Sequence, residues 1–259
     1  MGLARTFIQY NRRLCDKLDR LLPEKFRVDG NTDFQRTFAP PYLKPDAVVY
    51  DVGGGKQPFV SEEQKRRLRL RIVGIDISRE ELERAPDGIY DRMIAEDIAR
   101  FQGEGDADLV ICQAVLEHVQ DVDGAFRAMA SSLRPGGTAC VFVPSRNAVF
   151  ARLNLLLPQA VKSYLLFTLF PGARAGQGFP SYYNQCTPDD FARLAREHDL
   201  EVTAAKHYYL SRYFTFFAPA HALWRAWGLS FFLLKGPQAA ETFSIALRKN
   251  PRVSPNPAT

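Results

Sequence analysis

The sequence predicts an α/β fold built around a largely parallel, doubly wound sheet. Two observations support this prediction. Short apolar runs typical of buried strands alternate with helical patterns along most of the chain, an order that implies crossover connections between parallel strands. Three consecutive glycines, Gly53 to Gly55, follow directly after the first strong strand, where the backbone must turn sharply or approach another group closely. A length of 259 residues suits one such domain with insertions.

Composition excludes several classes of protein. Hydrophobic residues make up 46% of the chain and charged residues 24%, as in a globular protein with a buried core. The four cysteines are widely spaced and form no C-x-x-C pair, so we predict neither a disulfide framework nor a metal site. Arginines interrupt the N-terminus, and no apolar run reaches the roughly 18 residues of a spanning helix. We therefore expect a cytoplasmic protein. A net charge of +5 is too small by itself to indicate nucleic-acid binding.

Residues 1–45 predict an N-terminal helix followed by a link. Apolar residues recur at near-helical spacing over 3–22, with basic residues between them, which predicts an amphipathic helix. Pro23 ends this helix. A turn-rich link with three prolines then leads to the first strand.

Residues 46–145 contain the alternating core of the domain. The predicted strands cover residues 47–51, 71–76, 91–97, 107–113 and 138–144. Charged or amphipathic helical patterns lie between them, around 62–70 and 121–134. This order predicts a sheet that helices cover on both faces.

The alternating order resumes late in the chain. Thr187 is a predicted N-cap for a helix over 187–200, because two aspartates follow it in the first turn. Two further strands are predicted at 201–209 and 242–249. The proline-containing tail, residues 250–259, is predicted to be disordered.

Polar side chains follow the core strands at one edge of the predicted sheet. Asp51, Asp76, Asp97 and Gln113 end, or directly follow, four successive strands. The carboxyl ends of parallel strands meet at one edge, where doubly wound folds bind nucleotide-like ligands. A carboxylate in the position of Asp76 can accept hydrogen bonds from both hydroxyls of a ribose, and Asp97 is placed to meet an adenine amino group. For the glycines alone, a tight turn without a ligand remains the alternative.

Five sequence elements in this order resemble a known family. They are "YDVGGGK", "GIDIS", "AEDI", "DLVICQAVLEHVQD" and "LRPGGTACVFVPSRN", and together they cover about residues 47–147. The chain thereby resembles the class I S-adenosylmethionine-dependent methyltransferases, of the branch that includes quinone-biosynthesis enzymes. The resemblance implies a Rossmann-like sheet of seven strands with an antiparallel last strand. One departure is Gln57, at a position where the family's glycine turn often has another glycine.

The resemblance also implies roles for individual residues. The implied cofactor-binding residues are Asp51, Gly53, Gly55, Asp76, Ile77, Asp97, Ile98, Gln113 and Ala114. His118, in the loop after the fourth strand, is the candidate general base, since an unperturbed histidine pKa of about 6.5 suits that role. A structural role for His118 and its neighbour Glu117 stays open. Tyr182, Tyr183 and His207 are candidates for the acceptor pocket.

The function implied by the resemblance is methyl transfer from S-adenosylmethionine to a small, apolar or lipid-like acceptor. Two alternatives stay open at this point: a cofactor-binding regulatory subunit without transferase activity, and a nicotinamide-dependent oxidoreductase. Nucleic acid is not expected as a partner, because the Asn-Pro-Pro-Tyr type of signature for flipped bases is absent. The sequence leaves the methylated atom open among oxygen, nitrogen and carbon.

Two apolar stretches, residues 146–186 and 210–240, predict helical cap insertions. Both are aromatic and basic, and neither contains Asp or Glu. They follow the fifth strand and precede the last, where such folds cover their substrate. Three roles stay open for them: enclosing a hydrophobic acceptor, lying on an anionic membrane surface, or forming a helical cap that buries its own apolar face, by itself or through a homodimer.

Overall fold

A seven-stranded mixed sheet forms the centre of the protein. The computed structural model describes residues 2–156, 180–210 and 214–251. The strands are Val48–Val52 (β1), Arg71–Asp76 (β2), Arg92–Ala95 (β3), Ala107–Gln113 (β4), Leu133–Pro144 (β5), Leu200–Tyr208 (β6) and Thr242–Lys249 (β7). Their order is β3-β2-β1-β4-β5-β7-β6, and β7 is antiparallel to both neighbours. The predicted α/β fold, a doubly wound sheet with an antiparallel last strand, is confirmed.

Helices cover both faces of this sheet. The described α-helices are Gly2–Arg20 (α1), Gly30–Asp33 (α2), Glu62–Leu68 (α3), Arg79–Glu83 (α4), Val122–Ser132 (α5), Val149–Leu156 (α6), Pro188–Glu197 (α7) and Ala218–Lys235 (α8). One core packs around Phe126 and Phe191, and the other around Phe34 and Ile72. The parallel strands are therefore buried on both sides, which explains their continuous apolar runs.

Local sequence fixes where several helices begin. Ser61 and Gln64 form a reciprocal capping box at the start of α3. The predicted N-cap, Thr187, accepts a hydrogen bond from the backbone N–H of Asp190 at the start of α7. Each cap satisfies backbone donors that the first helical turn leaves without partners.

The fifth strand begins earlier than its sequence indicates. The prediction starts β5 at Thr138, because Pro135 and the two glycines after it are typical of a turn. In the structure the strand begins at Leu133, which pairs with Ala107, and the register then shifts at a bulge before Thr138. A bulge absorbs residues that do not fit a regular ladder.

The predicted link before β1 is largely helical. Helix α2 continues into a π-helical turn, Phe34–Phe38, and a 3₁₀ turn follows at Pro40–Tyr42. The ring of Phe34 is fully buried, with its centroid 5.7 Å from those of Phe59 and Phe142. This packing places the link on the face of the sheet that Phe34 covers.

Helices α1 and α8 are held together through a buried carboxylate. Asp19 Oδ1 of α1 accepts a hydrogen bond of 2.6 Å from Arg225 Nε of α8 and lies 3.0 Å from His221 Nε2. Arg225 also donates to the carbonyl oxygens of Phe26 and Tyr209. His221 is fully buried in this network. Among the described residues, no helix is both long and apolar enough to cross a membrane.

The structure describes only parts of the two predicted insertions and of the predicted tail. Helix α6 lies in the first predicted insertion and α8 in the second. Residues 157–179 of the first insertion, 211–213 of the second and 252–259 of the tail lie outside the described residues. The predicted disorder of the tail stays a prediction.

Candidate functional site

A cavity of about 660 Å³ lies at the carboxyl ends of β1, β2 and β4. Eight of the predicted site residues line this cleft: Gly53, Asp76, Ile77, Asp97, Ile98, Ala114, His118 and Tyr182. The volume falls in the range of small-molecule and cofactor sites. Of the four strand-end residues, Asp76 and Asp97 therefore meet in one cleft, as the parallel topology predicts.

The glycine turn after β1 has a specific steric cause. Gly53 has a φ of +71°, and a Cβ atom there would lie 2.2 Å from Val115 Cγ2. A Cβ atom on Gly54 would lie 2.6 Å from both Asp51 Oδ2 and Tyr90 Oη. The first two glycines are thus required by neighbouring protein atoms. Gly53 also forms part of the wall of the cleft.

Asp51 lies behind the turn and does not line the cleft. Its side chain is 3% exposed, and its Oδ2 accepts a hydrogen bond of 2.8 Å from the backbone N–H of Phe59. Burial raises the pKa of Asp51 to about 7, although the Phe59 and Tyr90 hydrogen bonds oppose that effect. The Tyr90 hydroxyl also donates to the carbonyl oxygen of Gly55 at 3.0 Å. Asp51 therefore holds the loop, and its predicted contact with a cofactor stays a prediction.

Two carboxylates from neighbouring strand ends line the cleft. Asp76 Oδ1 accepts from the backbone N–H of Ser78, and Asp97 Oδ1 accepts from that of Ala99, both at 2.9 Å. Each carboxylate is thus oriented by a turn of its own backbone. Burial raises the pKa of Asp76 above its usual value. Ile77, beside Asp76, is 62% exposed although it is large and apolar.

These residues fit a nucleoside cofactor. The carboxylates of Asp76 and Asp97 offer hydrogen-bond acceptors of the kind that ribose hydroxyls and an adenine amino group require. The exposed Ile77 and the buried Ile98 offer apolar surface on the same cleft for the faces of a base. An exposed apolar side chain inside a cavity is typical of a surface that a ligand covers.

Gln113 and Gln57 are placed outside the cleft. The Gln113 side-chain amide donates to Asn31 Oδ1 at 2.6 Å and does not line the cavity. Gln57 is exposed, and its backbone N–H closes the glycine turn by donating to the Gly54 carbonyl at 2.8 Å. Ala114, next to Gln113, does line the cleft and has a φ of +55°. Such a conformation in a residue other than glycine indicates stored strain, which concentrates at functional sites.

His118 lies at the opposite side of the cleft in a defined tautomer. Its Nδ1 is 2.9 Å from the carbonyl oxygen of Pro180. Because a carbonyl only accepts hydrogen bonds, Nδ1 carries the proton and Nε2 holds the lone pair of the neutral ring. Tyr182 lines the cleft beside it, whereas Tyr183 is 5% exposed and packs near Phe150.

His207 lies in a different groove. That groove, of about 400 Å³, is formed by residues of α7, β6, β7 and the turn after α8. Burial lowers the pKa of His207. The structure therefore does not bring His207 to the cleft that contains His118, and its role in acceptor binding stays a prediction.

Sequence reasoning missed two residues that shape the cleft. Tyr90 reaches the glycine turn from the segment before β3, and Val115 reaches it from the turn after β4. Neither belongs to a motif at the strand ends. Both act across the sheet, so spacing along the chain contains no signal for them.

A protein-family model described as "Methyltransferase domain" matches residues 7–205. The chain belongs to this methyltransferase family. The resemblance noted from the sequence motifs is thereby confirmed.

Curated relatives of this methyltransferase are named "Ubiquinone biosynthesis O-methyltransferase". The protein of Cupriavidus pinatubonensis is 30% identical over 162 residues, covering 60% of each chain. That of Xanthomonas campestris is 31% identical over 166 residues, covering 61% of this chain and 64% of the relative. The chain thus spans about 60% of the length of these relatives.

Solved structures show the same fold at low sequence identity. An S-adenosylmethionine-dependent methyltransferase from Mesorhizobium loti is 16% identical with a TM-score of 0.52, covering 83% of this chain and 100% of that one. A phosphoethanolamine N-methyltransferase from Haemonchus contortus, solved with S-adenosylhomocysteine, is 15% identical with a TM-score of 0.51. It covers 97% of this methyltransferase and 61% of its own chain.

Proposed function

We propose that this methyltransferase transfers a methyl group from S-adenosylmethionine to a hydroxyl group of a small apolar acceptor. The observation that carries the proposal is that Asp76 of β2, Asp97 after β3 and His118 after β4 line one cleft. Bound S-adenosylmethionine supplies an electrophilic methyl group on a sulfonium, which is already a good leaving group. The residues of the chain then have to bind and orient the cofactor, and to deprotonate the hydroxyl group of the acceptor.

Binding and orientation fall to the strand ends. Asp76 holds the ribose hydroxyls and Asp97 the adenine amino group, while Ile77 and Ile98 contact the faces of the base. Gly53 keeps the turn close to the cofactor. Orientation of this kind reduces the barrier of a displacement, because the reacting atoms are already aligned.

Deprotonation of the acceptor falls to His118. The neutral ring carries its lone pair on Nε2, because Nδ1 donates to the Pro180 carbonyl. A hydroxyl acceptor needs such a base, and the printed name of the relatives, O-methyltransferase, supports an oxygen acceptor. The same name places the relatives in ubiquinone biosynthesis, which supports an apolar acceptor for this chain.

We further propose that helix α8 brings the protein to an anionic membrane surface. Helix α8 has no Asp or Glu, and its side away from the core exposes 74% of Leu223, 56% of Trp227 and 80% of Leu234. A helix that is apolar all round needs a second apolar surface. Other exposed apolar residues are Phe7, Tyr10 and Leu18 of α1, Leu21 directly after it, and Leu153 and Leu156 of α6.

Charge around this surface favours anionic lipid over a homodimer. Exposed cations on these helices and the turn after α1 include Arg13, Lys17, Arg20, Lys25, Arg152 and Lys235, against the exposed acids Asp16 and Glu24. A second copy on the same surface would bring like charges together. Anionic headgroups pair with them instead, each basic residue contributing about 1 kcal/mol.

Calorimetric titration with S-adenosylmethionine tests the proposed function. We expect micromolar binding by the wild-type protein and no binding of NADH. The Asp76→Ala variant should bind at least tenfold more weakly, a loss of about 1.4 kcal/mol. Asp87→Ala, which removes an exposed carboxylate outside the cleft, is the matched control and should bind normally. Absence of binding by folded wild-type protein would exclude the proposal.

A further inference from the structure

Glu117 is a buried carboxyl group with an unusual environment. Its side chain is 4% exposed, and among the described residues its Oε2 atom has no hydrogen-bond partner. A hydrogen bond from the backbone N–H of Glu117 itself serves this carboxyl group, but burying its other oxygen without a partner costs about 1–3 kcal/mol. A turn that needed only shape would be served by an apolar side chain, so this group requires an explanation.

We propose that Glu117 is a positioning residue whose carboxyl group tunes how readily His118 takes up a proton at the edge of the cleft. Both residues lie in the 3₁₀ turn Leu116–His118. Glu117 Oε1 lies 3.9 Å from His118 Nε2, the nitrogen that holds the lone pair. That distance is too long for a hydrogen bond, but charges so close still interact, although the 31% exposure of the His118 side chain lets water screen them in part. The inference rests on the proposed function, in which His118 is the base.

The backbone of Glu117 fixes the other side of the same histidine. Its carbonyl oxygen accepts hydrogen bonds from the backbone N–H groups of Tyr182 at 2.7 Å and Tyr183 at 3.1 Å. These bonds hold the segment whose Pro180 carbonyl binds His118 Nδ1. Substitution of the Glu117 side chain leaves these backbone bonds in place, so orientation and charge can be tested separately.

The groups around Glu117 leave its carboxyl neutral at physiological pH. They are the thiols of Cys112 on β4 and Cys186 before α7, both with a raised pKa, together with His118. Arg146 acts on Cys186, and within the described chain no Lys or Arg forms an ion pair with Glu117. Burial therefore dominates and raises the pKa of Glu117 to about 8.

As a consequence, the charge of Glu117 beside the proposed base, His118, depends on pH. Below pH 8, Glu117 is neutral and adds no charge beside the imidazole. Above pH 8, its carboxylate stabilises the imidazolium that forms when the proton of the acceptor hydroxyl moves to Nε2. The proton ends on His118 in both ranges, and only the field around it changes.

Nuclear magnetic resonance of ¹³C-labelled histidine tests this coupling without any methyl transfer. The His118 ring signal, assigned with His118→Gln, should show an inflection near pH 8 that reports ionisation of Glu117. Glu117→Gln should abolish the inflection. Glu241→Gln is the matched control. Glu241 is equally buried, and among the described residues its Oε2 also has no hydrogen-bond partner, but its Oε1 accepts from Trp224. In this variant the His118 signal should keep its inflection near pH 8. An unchanged inflection in Glu117→Gln overturns the inference.

A kinetic experiment with catechol as the acceptor provides the second measurement. The wild-type kcat should rise through pH 8. The kcat of Glu117→Gln should equal that of the wild type within about twofold at pH 6.5 but should not rise through pH 8. KM should be the same for both proteins. Equal profiles overturn the inference. If the wild type neither binds S-adenosylmethionine nor methylates catechol while the inflection depends on Glu117, the coupling stands and the proposed function fails. Should Glu117→Gln not fold, Glu117→Asp replaces it and should keep the inflection at a shifted pH.

Discussion

Val115 fills the space that a side chain on Gly53 would need. Its Cγ2 atom lies 2.2 Å from the position of a Cβ atom there. The turn after β1 and the turn after β4 therefore pack directly against each other, and both line the cleft. The glycine is required by this contact and by its φ of +71°, whichever ligand the cleft binds.

We expect Gly53→Ala to destabilise the fold by at least about 2 kcal/mol, because it combines backbone strain with overpacking. Gly88→Ala separates the two effects, since Gly88 has a φ of +73° and no atom within 4 Å of a Cβ. It should cost only about 1 kcal/mol. Urea unfolding measures both, and Val115→Ala added to Gly53→Ala should recover the steric part. Equal losses for the two single variants would contradict the assigned contact.

Removal of Asp19 should separate α1 from α8. Arg225 is buried, and without its carboxylate partner it would be an uncompensated charge, which costs about 3–5 kcal/mol. We expect Asp19→Ala to lower the free energy of unfolding by that amount in urea. Asp16→Ala, an exposed acid on the same helix, should change it by less than about 0.5 kcal/mol.

The same network predicts sensitivity to acid. Burial alone would raise the pKa of Asp19, but the hydrogen bonds from His221 and Arg225 outweigh it and hold the pKa below its usual value. A lowered carboxyl pKa contributes stability above the pKa of the unfolded chain, and the contribution is lost as pH falls through the folded value. The wild type should therefore lose more stability than Asp19→Ala between pH 5 and pH 2. Parallel losses in thermal melts would show that Asp19 is not the group responsible.

Glu241 predicts the opposite pH dependence. Burial raises its pKa to about 7, although the Trp224 indole donates to its Oε1 at 3.0 Å. The unfolded chain ionises first, so stability falls as pH rises from about 4.5 to 7 and is then constant. In Glu241→Gln, the loss of stability between about pH 4.5 and pH 7 should be smaller by on the order of 3 kcal/mol. The remaining loss should persist, because the pKa values of Asp51 and Glu117 are also raised. Urea unfolding at pH 5 and pH 8 measures the difference; an unchanged fall in the variant excludes Glu241.

Vesicle co-sedimentation tests the surface of α8. The wild type should bind phosphatidylglycerol vesicles at low salt, less at high salt, and phosphatidylcholine vesicles weakly. The double variant Leu223→Ser/Trp227→Ser should lose binding, since both side chains are exposed on α8. Val202→Ser on β6, also exposed, is the control and should bind like the wild type. A dimer in gel filtration that the double variant dissociates would assign the surface to self-association instead.

Much of the fold followed from the sequence, because buried parallel strands leave a plain apolar signature. Strands β2, β4 and β7 have the predicted bounds, whereas β5 begins five residues early because a bulge carries the chain through Pro135. Strand ends also led to Asp76 and Asp97, since topology brings such positions together. The sequence could not predict which cavity His207 lines, because alternation along a strand indicates the face of the sheet on which a side chain lies but not the cavity above that face.

The bond between Asp19 and Arg225 joins residues 206 positions apart, and this separation matters during synthesis. Helix α1 leaves the ribosome long before α8 exists. At about 5–20 residues per second, it waits roughly 10–40 s for its partner. Throughout that time its apolar stripe and its unpaired carboxylate are open to chaperones and lipids. For this chain, formation of the contact between α1 and α8 therefore waits for translation.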